Sequence, residues 1–519
     1  MKNFSFRSMF AVLILTGTSV YAQQEAIDTA VFGAIRRAEL KSSQIPQLAH
    51  YLTDVSGPRL TNSAGFKRAS NWAVATMKKW GLENVALEPW GEFGKQWEPE
   101  EFSIAITAPY PQSVIAYPTP WTVGTKGLKK AKVVVLSSVQ LRDSAYVTKH
   151  LNEFKGKIIL VANSEPSGEP VEEASVERFS DSTLANMKDQ YHVTRPMIEF
   201  YMKYHKAMDR IAQMLKKSGA IAVIHSEEGH TNGPVLVQAN GGQKLDAPET
   251  LPQVSMAFDD GQKIARLIKS GHEVEISLNI KSKFSTEDTK GYNVVAEIPG
   301  SDPTLKSELV MLGGHLDSWQ SSEGATDNAA GCVVMMEVVR LLDSLNIKPK
   351  RTVRIALWSG EEQGVFGSYN YVKNHFMNAD GTPKPENGKV SAYFNLDNGT
   401  GKIRGIFSQN NTAIKPIFEQ WFTPFHDLGA KTVTTKNTGS TDHISFDWAG
   451  IPGFQFIQDP MDYEARTHHT NLDDYDHLQI DDLKQAAIIV ASFVYQASVR
   501  PELLPRKAPV KETFVFEGF

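Results

Sequence analysis

The stretch GGHLDSWQSSEGATDNAAG, residues 313–331, sets His315, Asp317 and Asp327 among glycines and small polar residues. An apolar run, ELVML, precedes it and a long apolar-periodic run comes after it, so the charged residues stand at the mouth of a core. Three more apolar runs end the same way. RIALW leads to Glu361 and Glu362, AYFNL leads to Asp397, and GFQFI leads by a polar loop to RTHHTNLDD, with His468 and His469. The only cation in this set is Arg466. Each piece is ordinary by itself: HLD reads as a surface pair, EE as solvated charge, LDNG as a turn. Gathered at one sheet edge, several carboxylates would repel and raise one another's pKa values, and a bound dication removes that repulsion. Imidazole plus carboxylate without thiolate suits zinc, with cobalt or manganese as substitutes. Calcium would call for more oxygens and no imidazole. Five ligands with a shared aspartate imply two ions, which clamp a water and a substrate oxygen between them. Successive residues at a strand end point in opposite directions. One carboxylate of Glu361–Glu362 then binds metal while the other stays free as general base and acid. Asp317, two residues beyond His315, is placed to hold the second imidazole nitrogen and fix its tautomer.

The elements that must position these residues are read from hydrophobic periodicity. From residue 291 onward, NVVAEIPG, SELVMLGG, TVRIALWSG, VSAYFNLDNG and GFQFIQ read as short buried strands. Between them one helix carries Val334, Met335, Val338, Val339, Leu342 and Leu345 on a face, and the last carries Leu483, Ala487, Val490, Ala491 and Val494. This alternation predicts an α/β fold, a mainly parallel central sheet flanked by helices, whose ligands gather beyond the carboxyl ends of the strands. An earlier helix carries Phe66, Ala69, Ala73, Met77 and Trp80. Residues 108–127 are rich in proline and glycine and read as a boundary. The block 128–285 has a different texture, with AKVVVL, GKIILVA, AIAVIH and EVEISLNI around a helix striped by Met197, Tyr201, Tyr204, Met208, Ile211 and Leu215. It reads as an inserted β-rich domain, with 164–182 as an acidic loop. The catalytic domain is then 23–127 plus 286–519.

A chain of 519 residues exceeds one ordinary core, which agrees with two domains. A net charge of −5 without a basic run argues against a nucleic-acid partner. Residues 1–22 read as a signal peptide: Lys2 and Arg7, then AVLILTG, then VYA before Gln23. The apolar run is shorter than the ~20 residues a span needs, so no stable membrane insertion is expected and the protein is exported, to periplasm or medium. The single cysteine, Cys332, allows no internal disulfide and reads as a small core residue.

GGHLDSW, GATDNAAG, LWSGEEQGVFGS, NLDNG and HHTNLDD, in this order and spacing, resemble the two-zinc exopeptidases, and YLTDVSGPRL (51–60) together with HLDSW and EEQG is most similar to their carboxypeptidase Q branch. The resemblance spans nearly the whole mature chain. It implies a zinc exopeptidase fold with a protease-associated domain as the insert, two Zn2+ ions, a peptide or dipeptide substrate and a homodimer. It implies that His315, Asp327 and Asp397 hold one ion, that Asp327, Glu362 and His469 hold the other, and that Glu361 is the catalytic base. It offers His468 as an oxyanion donor and NTGSTDHISF (437–446) as pocket lining through Asp442 or His443. It also implies a cis peptide at Asp327–Asn328. The stretch SSEGATDNAAG departs from the pattern, more polar before Gly324 and richer in alanine after it. The expected activity is hydrolysis of dipeptides or short peptides. Rival readings are an aminopeptidase acting on longer chains and a non-catalytic receptor-like module. A free substrate carboxylate wants a cation such as Arg466 or Arg404, whereas a free amine wants a carboxylate.

Overall fold

The computed structural model describes residues 24–162, 177–191, 195–226, 233–238 and 241–507. The signal segment and most of the acidic stretch 164–182 lie outside them. Two eight-stranded mixed sheets organise the chain. The first is built from β1 (Glu83–Glu92), β2 (Lys290–Ile298), β3 (Leu309–His315), β4 (Thr352–Trp358), β5 (Val390–Asn395), β6 (Ile403–Phe407), β7 (Thr432–Thr434) and β8 (Gly453–Gln458), in the spatial order β1-β2-β4-β3-β5-β8-β6-β7. At its centre β4, β3, β5 and β8 are parallel neighbours. β1, β2 and β6 run antiparallel to their neighbours β2, β4 and β8. The expected mainly parallel sheet is therefore a parallel core within a mixed sheet.

Apolar residues on both faces of the central strands bury this core. Val310 and Leu312 of β3 join one cluster, with Phe32, Val334, Val338, Leu483 and Val490 from helices Thr29–Ser42, Ala330–Ser344 and Ile480–Val499. Met311, one residue out of phase, joins the opposite cluster with Trp358, Tyr371, Tyr393 and Phe446. A period of two thus splits each strand between two helical layers. The expected helix at 64–79 forms, with Phe66, Ala69, Ala73 and Met77 buried.

The second sheet draws its strands from Gln96–Ala108 through Glu275–Ser285. The boundary expected at 127/128 therefore falls inside it: Gln96–Ala108 pairs along its length with Glu275–Ser285, and the proline-rich residues after Ala108 are internal to this unit. Its middle strands, Lys129–Leu136, Ile158–Val161, Ala222–His225 and Gln253–Met256, are parallel, with helices in the connections between the first three, so the unit is α/β rather than β-rich. In the helix Arg195–Ser218 the apolar stripe is buried at Ile211 and Leu215 but exposed at Met197 and Tyr201. The two sheets are joined by a two-stranded neck. Glu92 lies opposite Lys290, Gln96 lies opposite Ser285, and the Phe93 amide donates to the Thr289 carbonyl at 2.8 Å. Among the described residues no helix is long and apolar enough to cross a membrane.

One buried group sits apart from the strand ends. Glu39 is fully buried, and both its carboxyl oxygens lack a hydrogen-bond partner. Burial, and then the neighbouring Glu337 carboxylate, push its pKa up to about 8 from an ordinary 4.5. A raised folded-state pKa means that the stability held by the protonated form is complete below the unfolded value and is lost as pH rises through the folded one. Glu39→Gln is expected to be more stable than the natural protein at pH 8, by on the order of 2 kcal/mol, and indistinguishable from it near the ordinary carboxyl pKa. Thermal melts at the two pH values check this.

Candidate active site

The sheet delivers each candidate residue at the carboxyl end of a parallel strand. His315 ends β3, Glu361 and Glu362 come after β4, Asp397 comes after β5, and the loop after β8 reaches His469. The distances between them define two groups around one carboxylate. His315 Nε2 lies 3.1 Å from Asp327 Oδ1 and 3.3 Å from Asp397 Oδ1. His469 Nε2 lies 3.2 Å from Asp327 Oδ2 and 3.0 Å from Glu362 Oε2. The two oxygens of Asp327 thus face different imidazoles.

These groups fit a metal better than they fit one another. Asp327 Oδ2, Glu362 Oε1 and Asp397 Oδ1 are buried without a hydrogen-bond partner. Two donors each about 2.0–2.1 Å from a tetrahedral ion stand about 3.3 Å apart, which is the spacing found here. The donor set has nitrogen and oxygen but no sulfur: the cluster's cysteine, Cys332, points its Sγ at the His315 carbonyl, 2.9 Å away, and burial pushes its thiol up to about 12. Donor atoms of His315, Asp327 and Glu362, and likewise of Asp327, His468 and His469, lie within 4.8 Å of one another. Burial alone would lower the His315 pKa, but the surrounding Asp397, Glu361 and Asp327 carboxylates hold it well above the ordinary imidazole value. The cluster is starved of positive charge.

Two expectations about local geometry change. The tautomer of His315 is set by a main-chain group: Nδ1 is 3.0 Å from the Asp317 carbonyl, while the Asp317 carboxylate is 3.7 Å away. That carboxylate instead accepts from Thr61 Oγ1 at 2.8 Å and from the amides of Glu361 and Glu362, each at 3.4 Å. Asp317 therefore fixes the backbone of the glutamate pair. The two glutamates also diverge for a different reason from the pleat of a strand, because β4 ends at Trp358 and the pair lies on a turn. Glu362 reaches His469, and Glu361 Oε2 lies 3.9 Å from His315 Nε2. Burial, then the Asp397, Asp442 and Glu362 carboxylates, raise the Glu361 pKa well above the ordinary range, with only His315 opposing.

Asp327 sits in a distorted turn, φ −129° and ψ 89°, ahead of a cis peptide to Asn328. Asp473, which the sequence reading passed over inside HHTNLDD, holds this turn: its two oxygens accept from the Thr326 amide at 2.6 Å and the Asp327 amide at 3.0 Å. Burial and the Asp327 charge push Asp473 up to about 7. Arg59, also passed over, is fully buried and donates to the carbonyls of Leu316 at 2.6 Å, Leu52 at 2.9 Å, Gly324 at 2.8 Å and Glu323. One guanidinium ties the loop after β3 to the turn that carries Asp327. Gly331 packs so tightly that a Cβ would stand 2.2 Å from the Leu396 carbonyl oxygen, one residue before Asp397.

The remaining candidates separate. His468 is half-buried, with Nε2 4.0 Å from Asp327 Oδ2 and its ring 3.9 Å from that of His469. Asp442 is fully buried, its pKa pushed up to about 8 by burial and by the Asp397 and Asp317 charges, so it is not part of an exposed substrate surface. His443 is equally buried, with Nε2 3.0 Å from the Thr438 carbonyl and close to Gln409, and burial lowers its pKa to about 4. These two belong to the wall rather than to the recess. Arg404 is committed to Asp459 at 2.8 Å and to the Phe179 and Gly429 carbonyls, which removes it as a substrate anchor. Arg466 is exposed on the histidine loop. Trp319, Gly324, Asp327, Glu362, His469 and Asp473 help line a recess of about 180 Å³.

Comparison with known proteins points to a peptidase. Residues 293–494 match the model of Peptidase family M28. Carboxypeptidase Q of Homo sapiens is 25% identical over 482 residues, covering 92% of this chain and 89% of that protein. Among solved structures, a peptidase M28 precursor from Shewanella amazonensis SB2B has a TM-score of 0.67 at 25% identity, covering 92% of this chain and 98% of that chain. BSAP, a zinc aminopeptidase from Bacillus subtilis, shares the fold, with a TM-score of 0.55 at 21% identity over 90% of this chain and 98% of that one.

Asp473→Asn keeps the size of the side chain but leaves one acceptor for two amides. It is expected to weaken zinc binding about 10- to 100-fold, the usual effect of removing a group that orients a ligand, while the fold persists. Chelator competition, with circular dichroism as the control, measures it.

Proposed function

We propose a specific activity for this chain, which carries a peptidase family M28 domain and is a metallo-exopeptidase: it is an exported, zinc-dependent enzyme that hydrolyses dipeptides and short peptides. The observation that carries the reading is the division of Asp327 between two imidazole–carboxylate groups, Oδ1 toward His315 and Oδ2 toward His469. A carboxylate shared in this way is a bridge, so two ions are proposed. His315, Asp327 and Asp397 would hold one, and Asp327, Glu362 and His469 the other. When bound, such ions polarise a carbonyl and make hydroxide available near neutral pH.

The chain's own residues supply the rest. Glu361 takes the proton from the attacking water and delivers it to the leaving amine; its buried, carboxylate-rich surroundings favour a basic carboxylate. Asp317 fixes Glu361 and Glu362 by their amides, so proton transfer occurs from a defined position. His468 faces the same side of Asp327 as His469 and is proposed to stabilise the oxyanion. Similarity to carboxypeptidase Q along 92% of the chain supports a carboxypeptidase-type activity; the protease-associated insert and the homodimer are proposed on the resemblance of the sequence motifs alone. Export rests on residues 1–22. A second reading, release of N-terminal residues from longer peptides, is favoured by the shared fold with a zinc aminopeptidase.

Glu361→Gln is expected to retain zinc and to lose about 10²- to 10⁴-fold in kcat on a free dipeptide. Near-normal turnover in that variant overturns the assignment of the base. A panel of free dipeptides, N-blocked dipeptides and aminoacyl amides then fixes the class. Preference for free dipeptides over aminoacyl amides supports the proposal, and the reverse order supports the aminopeptidase reading.

A further inference from the structure

Residues 177–191, which precede the strand Ala222–His225, reach the histidine loop through a hydrogen-bonded chain. Tyr191 donates its hydroxyl to Glu464 Oε1. Glu464 Oε2 lies 3.4 Å from His468 Nδ1, and His468 Nε2, on the far side of the ring, lies 4.0 Å from Asp327 Oδ2. The Tyr463 ring packs on His468 with centroids 4.7 Å apart, which limits the ring to small rotations in its plane. Tyr191 and Glu464 are 273 residues apart in sequence, so this is a tertiary contact and not a local turn.

Tyr191 is held in place from both sides. Gln190 donates to the Asn437 carbonyl at 2.9 Å and accepts from the Gly439 amide at 3.1 Å, and Asp189 Oδ1 accepts from the Asn437 amide at 2.7 Å. At the other end of the same segment, Glu177 and Met461 exchange two main-chain hydrogen bonds, and Arg178 pairs with Asp459 and Asp482. The Tyr191 backbone is in the left-handed region, φ +46°, which a bulky side chain adopts only where its surroundings enforce it. Burial alone would raise the Glu464 pKa, but the hydrogen bonds from His468 and Tyr191 outweigh it and hold the carboxylate ionised.

We propose that Tyr191 and Glu464 are positioning residues that fix the His468 ring over Asp327, so that the segment 177–191 completes the active site. The proposal deepens the peptidase reading and rests on it. A carboxylate at Nδ1 fixes the direction of Nε2, and the tyrosine keeps that carboxylate from turning to solvent, where half of its surface lies. Neither residue touches the reacting atoms, and both act through His468.

The test is a double-mutant cycle on the zinc-loaded full chain with a free dipeptide, preceded by confirmation that the natural protein turns over and that Glu361→Gln does not. Failure at that first step removes the peptidase reading itself and is distinct from failure of the cycle. Tyr191→Phe and Glu464→Gln are each expected to lower kcat by about 5- to 20-fold with KM within twofold, and zinc affinity by chelator competition is expected to stay unchanged. In a His468→Ala background both substitutions are expected to have no further effect on kcat. A rise in KM with kcat intact would make Tyr191 a substrate contact and overturn the proposal. So would full additivity with His468→Ala, or natural kinetics in both single variants.

Discussion

Carboxylates converge at the ends of four parallel strands, where burial makes their mutual repulsion severe, and the architecture of the site is a response to that. Asp327, Glu361, Glu362 and Asp397 lie within reach of two imidazoles. Asp327 Oδ2 and Asp397 Oδ1, both buried without a hydrogen-bond partner, face imidazole nitrogens at the separation of donors on a common cation. Acids and imidazoles placed so need a dication, and the surrounding structure spends its order on keeping them from relaxing apart. Arg59 draws the β3 loop and the Asp327 turn together through carbonyls alone, leaving every acid free. Asp473 and Asp317 act likewise on amides, one beneath Asp327 and the other beneath the glutamates.

This division of labour sorts the acids of the site by what they touch. Asp327, Glu362 and Asp397 each keep one buried oxygen without a hydrogen-bond partner, whereas Asp317 and Asp473 are filled by N–H and O–H groups. A carboxylate saturated by backbone amides is a structural anion, and one left bare at the same depth is stable only beside a cation. The distinction is invisible in composition, since all five are acids near strand ends.

The side chains that converge were legible because each comes just after an apolar run short enough to be a buried strand, and parallel strands bring the residues beyond their carboxyl ends to one edge. The anchoring roles were less legible. HLD reads as a side-chain contact from Asp317 to His315, yet the carbonyl of the same residue lies closer. The boundary at 127/128 failed for a related reason. Gln96–Ala108 alternates poorly, with Glu98, Glu100 and Glu101 along it, so its membership of the second sheet depends on pairing with Glu275–Ser285, far along the chain. Arg59, Tyr191 and Glu464 carry no local signal at all. Each resembles a surface residue until the fold supplies its partners.

The neck between the two sheets has a mechanical consequence. An excursion of nearly two hundred residues leaves and returns through adjacent strands, Glu92 opposite Lys290 and Gln96 opposite Ser285. A two-stranded ribbon resists stretching, because that breaks its ladder. The distance between the sheets is therefore held by the ladder itself. Beyond the ribbon, the Val237 amide reaches the His469 carbonyl and the Val235 amide reaches the Asn471 side chain, so ladder and loop together fix where the second sheet stands over the histidine loop.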